Sequence, residues 1–332
     1  MPGRVEIHDF ESSVLRGNAL GDPTTRRVPV YLPPGYEGGD DAYPVLYALA
    51  GFTGTGLSYL RDDWYQEPLP ERLDRLIGSG TMKPAVVVMV DGMTVIGGNQ
   101  YVDSSAVGPW ATHIVDELVP WAESSFRLKP GRDHRGVFGK SSGGYGSMMM
   151  ALEHSDTFAA AVSHSGDCYF EYCYGADFPH AIDGLRREGG LGSFLEKLKS
   201  RHWPKMPGGL FTTLNIVAMS HFYGADPDAP FGFRLPFDEE SGEMDADVLA
   251  QWRTRDPVHI AADHVDDLKC MKLLWIECGT RDQFHLHHGA RILSQRLRAL
   301  GVEHVHEEFD DDHRGLNYRY ATTLPRLAAA LV

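Results

Sequence analysis

Four short stretches run on apolar residues with no polar alternation: Val45 to Ala50 in PVLYALAG, Ala85 to Gly92 (AVVVMVDG), Gly136 to Gly139 (GVFG) and Lys272 to Gly279 (KLLWIECG). A run of this length, rich in β-branched residues and closed by glycine, predicts a strand buried on both faces. Strands of that kind belong to a largely parallel sheet covered by helices on both sides. Residues 4–10 and 27–32 read as further strands, the second ending at the turn-rich PPGYEGGDDAYP. Residues 302–309 alternate and read as the last strand. Helical spacing falls between these runs. Ile114, Leu118 and Trp121 share a face over 110–126, where Pro120 is expected to bend or tighten the later part. Ile292, Leu293, Leu297 and Leu300 share a face over 287–301, with Gly301 as the stop. Alternating strands and helices predict an α/β architecture: one domain over 1–332, with a mostly parallel central sheet and helices on both faces. The rhythm breaks over 166–260, where aromatics, Pro and Gly crowd together. This span reads as an irregular, cap-like insertion over one end of the sheet.

Charge narrows the partners. With 31 Lys and Arg against 46 Asp and Glu, the formal charge is -15, which opposes binding to a phosphate backbone or an anionic membrane. No run reaches the ~18 apolar residues a transmembrane helix needs. The four cysteines, Cys168, Cys173, Cys270 and Cys278, have neither zinc-site nor disulfide-scaffold spacing and read as free thiols. The N-terminus MPGRVEIHDFESSVLRG lacks the apolar core of a signal peptide, so a cytoplasmic, reducing location is the default expectation.

The stretch GKSSGGYGSMMM carries the chemistry. Gly-x-Ser-x-Gly after a strand and opening a helix is a nucleophile elbow, in which the serine occupies a strained turn. The residues two before and two after it must be tiny, because strand, turn and helix backbones crowd there. Gly139 and Gly143 satisfy this for Ser141. Framing on Ser142 would put Lys140 where no long side chain fits. Ser141 is therefore the candidate nucleophile, and Met148 to Met150 read as helix core.

A serine needs a base to take its proton and an acid to orient that base. In this architecture the chain order is Ser, acid, His. The acid belongs just past a late strand: Asp282, in the loop after Gly279, is preferred, with Glu277 inside the apolar run held in reserve. The base belongs beyond the last strand, where His313 sits; His304 and His306 fall within the strand itself. Two amides must face the developing oxyanion. Ser142 N–H is one. The other comes from LAGFTGTG, with Phe52 N–H preferred and Thr53 next.

These segments resemble the esterase D / S-formylglutathione hydrolase branch of the Putative esterase family of α/β-hydrolases, which includes enterochelin and feruloyl esterases and mycolyltransferases. RVPVYLPPGYEGGDDAYPVLYALAGFTG looks like its opening strands and oxyanion loop. NQYVDSSAVGPWATHIVDELVPWAESSFR resembles its stretch before the nucleophile. GKSSGGYGSMMMAL is similar to its elbow, GTRDQF to its acid loop and DDDHRGLNY to its histidine loop. The resemblance implies an α/β-hydrolase fold and a serine ester hydrolase with Ser141, Asp282 and His313 as triad and Phe52 and Ser142 as oxyanion amides. It implies no cofactor and a small-molecule ester or thioester as substrate. Two positions depart from formylglutathione hydrolases: Gly54 where a cysteine is usual, and Ser142 where methionine is frequent. Three alternatives share the pattern: an S-formylglutathione hydrolase, an acyltransferase with the same triad, and a catalytically silent binding protein. A homo-oligomer fits equally. HLHHG (His285, His287, His288) and DDDH lack the spacing of a metal site, so none is expected. Tyr169, Phe170, Tyr172, Phe211, Phe222, Tyr223, Phe231 and Phe233 either line a pocket or pack the insertion onto the sheet.

Overall fold

A computed structural model describes residues 2–200 and 209–332. Eight strands form one sheet: β1 (Arg4–Glu11), β2 (Thr25–Leu32), β3 (Val45–Leu49), β4 (Val86–Val90), β5 (Arg135–Lys140), β6 (Ala160–His164), β7 (Leu273–Gly279) and β8 (Val305–Phe309). Their order is β1-β2-β4-β3-β5-β6-β7-β8. β2 runs antiparallel to both β1 and β4, and every other pairing is parallel. The apolar runs occupy the middle of the sheet: every residue of β3, β4 and β6 is buried, whereas edge strand β1 alternates.

Strand periodicity splits the core in two. Val45, Tyr47 and Leu49 face one layer, and Leu46 and Ala48 the other. Seven helices matter below: α1 (Leu69–Gly78), α2 (Ser142–Glu153), α3 (Phe178–Glu188), α4 (Leu210–Tyr223), α5 (Ala246–Arg253), α6 (Leu286–Ala299) and α7 (Tyr320–Ala330). α1 and α7 cover the Leu46 face with Leu73, Leu76, Leu324 and Leu327. α2 and α6 cover the other with Met148 to Leu152, Leu293 and Leu297. Among the described residues no helix is long and apolar enough to cross a membrane. All four cysteines are free.

Several elements differ from the sequence reading. α1, β6 and α7 were not expected. β6 is Ala-Ala-Val-Ser-His, so alanine and serine mask its β character, while α7 carries Pro325 inside it. The segment over 110–125 widens in its middle, ahead of the later part that Pro120 was expected to bend or tighten, and Val119–Ser125 is regular α-helix. Its middle, His113–Leu118, is a π-turn in which Val119 N–H reaches back to the Ile114 carbonyl. The widened turn lies directly ahead of Pro120, which has no N–H to continue the ladder.

Between β6 and β7 the chain is irregular in order more than in secondary structure, since α3, α4 and α5 all lie there. Most of its aromatics pack. Phe170 stacks on Tyr223 with ring centroids 4.7 Å apart, Tyr174 and Trp252 join edge-on, and Tyr145 of α2 ties the cluster to the sheet layer. Phe222 and Phe233 are buried too, Tyr172 and Phe231 are exposed, and Tyr169 is half-buried.

The tightest crossing lies where α2 leaves β5. A Cβ on Gly139 would sit 2.5 Å from the carbonyl oxygens of Gly143 and Leu49, and one on Gly143 would overlap the Leu49 carbonyl outright. Gly143→Ala is therefore expected to destabilise the protein by about 3 kcal/mol or more, or to abolish folding. Gly78→Ala, at the end of α1 where nothing lies within 4 Å, should shift stability by less than about 1 kcal/mol. Thermal and urea melts of the two variants check the contrast.

Candidate active site

The glycine crossing forces Ser141 into φ 58, ψ -125, a region that side-chain-bearing residues rarely occupy. Its neighbours hold it there. Ser141 N–H donates to the His164 carbonyl of β6 at 2.9 Å, and Tyr145 N–H donates to the Ser141 carbonyl at 2.9 Å. Ser141 lines a small cavity of about 30 Å³ together with Phe52, Ser142, Asp167, Phe211, Phe284 and others. Among the described residues its hydroxyl has no hydrogen-bond partner.

Asp282 and His313 meet directly. Asp282 is buried in the loop after β7, and its Oδ2 lies 2.7 Å from His313 Nδ1. Its other oxygen accepts from Phe284 N–H at 2.9 Å. Burial alone would raise the Asp282 carboxyl, but the His313 hydrogen bond and charge and the Phe284 and Leu286 amides hold it below the ordinary carboxylate range. With that carboxylate on Nδ1, the imidazole carries its proton there and leaves the Nε2 lone pair free. The histidine loop is pinned to the acid loop by His313 N–H to Gln283 Oε1 (2.9 Å) and Arg281 N–H to the Asp311 carbonyl (2.9 Å). Phe284 joins this pair to the serine: it lines the Ser141 cavity and packs edge-on against the His313 ring at 4.8 Å. The structure thus brings Asp282 and His313 into contact and sets Ser141 on the adjoining wall, with no direct Ser141–His313 hydrogen bond.

The two preferred amides are unspent. The loop after β3 passes close by, because a Cβ on Gly51 would lie 3.5 Å from Ser141 Cβ. Phe52 N–H has no acceptor among the described residues, whereas Thr53 N–H donates to the Gly97 carbonyl at 2.7 Å. Ser142 N–H is the first amide of α2 and has no intrahelical acceptor.

Several of the discarded candidates are engaged elsewhere. His304 bonds the Ser294 hydroxyl (2.8 Å) and the Val302 carbonyl (3.0 Å). The His287 and His288 rings lie against each other at a tilt, with centroids 4.1 Å apart. Glu171, Asp256 and His259 do gather closely enough to suggest a cation. Their oxygens are engaged, however: Asp256 accepts from the Tyr169, Phe170 and Val258 amides, and Glu171 pairs with Arg253 and His259. Asp167, Gln283 and Phe284 were missed. Asp167 follows β6, the strand that sequence patterning did not reveal.

The sequence profile of the Putative esterase family matches residues 18–322. The chain belongs to that family. Over 165 residues it is 35% identical to Esterase MT1326 of Mycobacterium tuberculosis (strain CDC 1551 / Oshkosh), a match covering 49% of this chain and 32% of the relative. The chain thus spans about a third of that relative's length. Among solved structures it is similar to a ferulic acid esterase, with a TM-score of 0.63 at 19% identity, covering 99% of this chain and 98% of that one. It is likewise similar to S-formylglutathione hydrolase (FrmB) from Staphylococcus aureus, with a TM-score of 0.59 at 17% identity, covering 100% and 99%. At these identities the likeness establishes the α/β-hydrolase fold.

Glu277, the reserve acid, lies apart from the His313 pair. It stands opposite His164 in the β6–β7 register. Oε1 accepts from His164 Nδ1 (2.8 Å) and Arg319 Nε (3.0 Å), and Oε2 from Arg319 Nη2 (2.8 Å) and Trp275 Nε1 (3.0 Å). Burial pushes its carboxyl up, but His164 and Arg319 outweigh that and bring it from 4.5 down to about 2. A depressed carboxyl stabilises the fold fully above its unfolded value of 4.5 and loses that contribution as pH falls through about 2. Glu277→Gln should therefore cost on the order of 3 kcal/mol at pH 7, with the deficit shrinking as pH drops below 4.5. Urea unfolding of both proteins checks it, and a deficit unchanged at pH ~3 contradicts it.

Proposed function

We propose that the protein is a serine carboxylic-ester hydrolase that works through an acyl-enzyme on Ser141. The observation that carries this reading is the buried 2.7 Å contact between Asp282 Oδ2 and His313 Nδ1 beside a serine held at a strained elbow. Ser141 Oγ attacks the ester carbonyl while His313 Nε2 takes its proton. Asp282 keeps the imidazole in the tautomer that can do so and stabilises the imidazolium that forms. The carbonyl oxygen becomes an oxyanion and is met by the Phe52 and Ser142 amides. Collapse breaks the bond to the alcohol oxygen, which leaves with the proton from His313. Water then enters, gives a proton to His313 and attacks the acyl carbon, and the returning proton restores the Ser141 hydroxyl.

The substrate is a small-molecule ester or thioester. The relatives' names supply two candidate chemistries, feruloyl esters and S-formylglutathione. The 166–260 span acts as a cap, since Asp167, Tyr174 and Phe211 of that span line the Ser141 cavity. Free thiols at all four cysteines suit a reducing, cytoplasmic setting.

A fluorophosphonate probe is expected to label Ser141 in the folded protein, and Ser141→Ala should abolish both label and ester turnover. His313→Gln and Asp282→Asn should lower kcat on the order of 10³-fold or more with melting behaviour near wild type. Mass spectrometry of the labelled peptide and steady-state rates on 4-nitrophenyl acetate check this. Retention of turnover by the Ser141→Ala protein refutes it.

A further inference from the structure

The cavity at Ser141 contains one carboxyl group the reaction does not use. Asp167 sits on its wall, just past β6, and is buried, while Phe52, Phe211 and Phe284 line the same space. Its two oxygens are treated differently. Oδ2 accepts from Gln100 Nε2 at 2.9 Å and from Tyr174 OH at 2.8 Å. Oδ1 accepts from no described residue.

The molecule supplies its own comparison. Glu277 and Asp256 are buried carboxyls with structural partners, and both oxygens of each are occupied. Asp167, on the cavity wall, instead concentrates its protein donors on Oδ2 and leaves Oδ1 without a donor among the described residues.

The support behind Oδ2 is costly to build. Gln100 and Tyr101 both lie in the left-handed region, at φ 54 and φ 58, although neither is glycine. Tyr101 is fixed there by its N–H to Asn99 Oδ1 (2.6 Å) and its OH to the Ala50 carbonyl (2.7 Å). The Gln100 amide so placed also reaches the hydroxyls of Tyr174 and Tyr223. The strained pair therefore delivers a donor to the back of Asp167.

We propose that Asp167 selects the substrate, its free Oδ1 accepting a hydrogen bond from a hydroxyl or ammonium group carried by the ester close to the scissile carbonyl. This rests on the hydrolase reading above. A buried acceptor discriminates against an analogue that cannot donate to it, and more strongly against an anion.

The test compares kcat/KM for ethyl butyrate with that for ethyl 3-hydroxybutyrate, ethyl 3-aminobutyrate, 2-hydroxyethyl butyrate and monoethyl succinate, followed by pH-stat. The third ester places the donor on the alcohol side, so the set also reports which half of the substrate faces Asp167. The wild type should favour at least one donor-bearing ester over ethyl butyrate by about tenfold or more and disfavour the succinate by a similar factor. In Asp167→Asn, which turns an amide N–H toward the cavity, and in Asp167→Ala, the preference should fall to within about twofold. Each ratio is internal to one variant, so it does not depend on the fraction folded. Absence of any donor preference in the wild type, or its survival in Asp167→Asn, overturns the proposal. Hydrolysis that persists in Ser141→Ala would instead strike at the hydrolase reading.

Discussion

Everything at the site depends on a contact between backbones. The Leu49 carbonyl at the end of β3 lies where a side chain on Gly139 or Gly143 would have to go. Because neither residue has one, β5 can turn straight into α2, and Ser141 is caught at the corner. A left-handed serine costs about 1–3 kcal/mol, and it persists because three strands fix it at once: β5 carries it, β6 takes its amide proton, and β3 closes over the turn. The same closeness brings the loop after β3 alongside the serine. Thr53 is tied to Gly97 there, which leaves the Phe52 amide as the unspent donor.

Two carboxylates five positions apart show how environment divides labour. Glu277 lies within β7, and its register opposite His164 surrounds it with an imidazole, a guanidinium and an indole. So many donors make it a rigid anion that ties α7 to the sheet through Arg319. Asp282 lies past the strand end, where the chain has turned out of the sheet. It meets one imidazole, the Phe284 and Leu286 amides and the Cys278 thiol, with no guanidinium to fix its charge. The sheet edge, not the residue type, separates the two roles.

The features legible in the sequence are those whose physics is local. Gly139-x-Ser141-x-Gly143 declares its own crowding, and four apolar runs mark strands buried on both faces. Asp282 and His313 could be placed because each follows a recognisable strand by a few residues. The features that stayed hidden depend on neighbours distant in sequence. β6 is a strand because β5 and β7 flank it, although its two alanines and a serine carry little β preference of their own. Since β6 was not seen, the residue just past its end, Asp167, had no place to be assigned. The aromatics of 166–260 were ambiguous for the same reason. Phe170 and Tyr223 pack against each other, Tyr174, Trp252 and Tyr145 of α2, while Phe211 lines the cavity, and most of these neighbours are distant in sequence.

Phe284 touches both the hollow at Ser141 and the ring of His313, the proposed base. An acyl group too wide for that space that pushed the phenyl ring aside would press on the imidazole packed against it. Misfit would then be felt as slowed proton transfer in the proposed reaction as well as in weaker binding. The wall of the chamber would double as a gauge wired to the machinery it encloses.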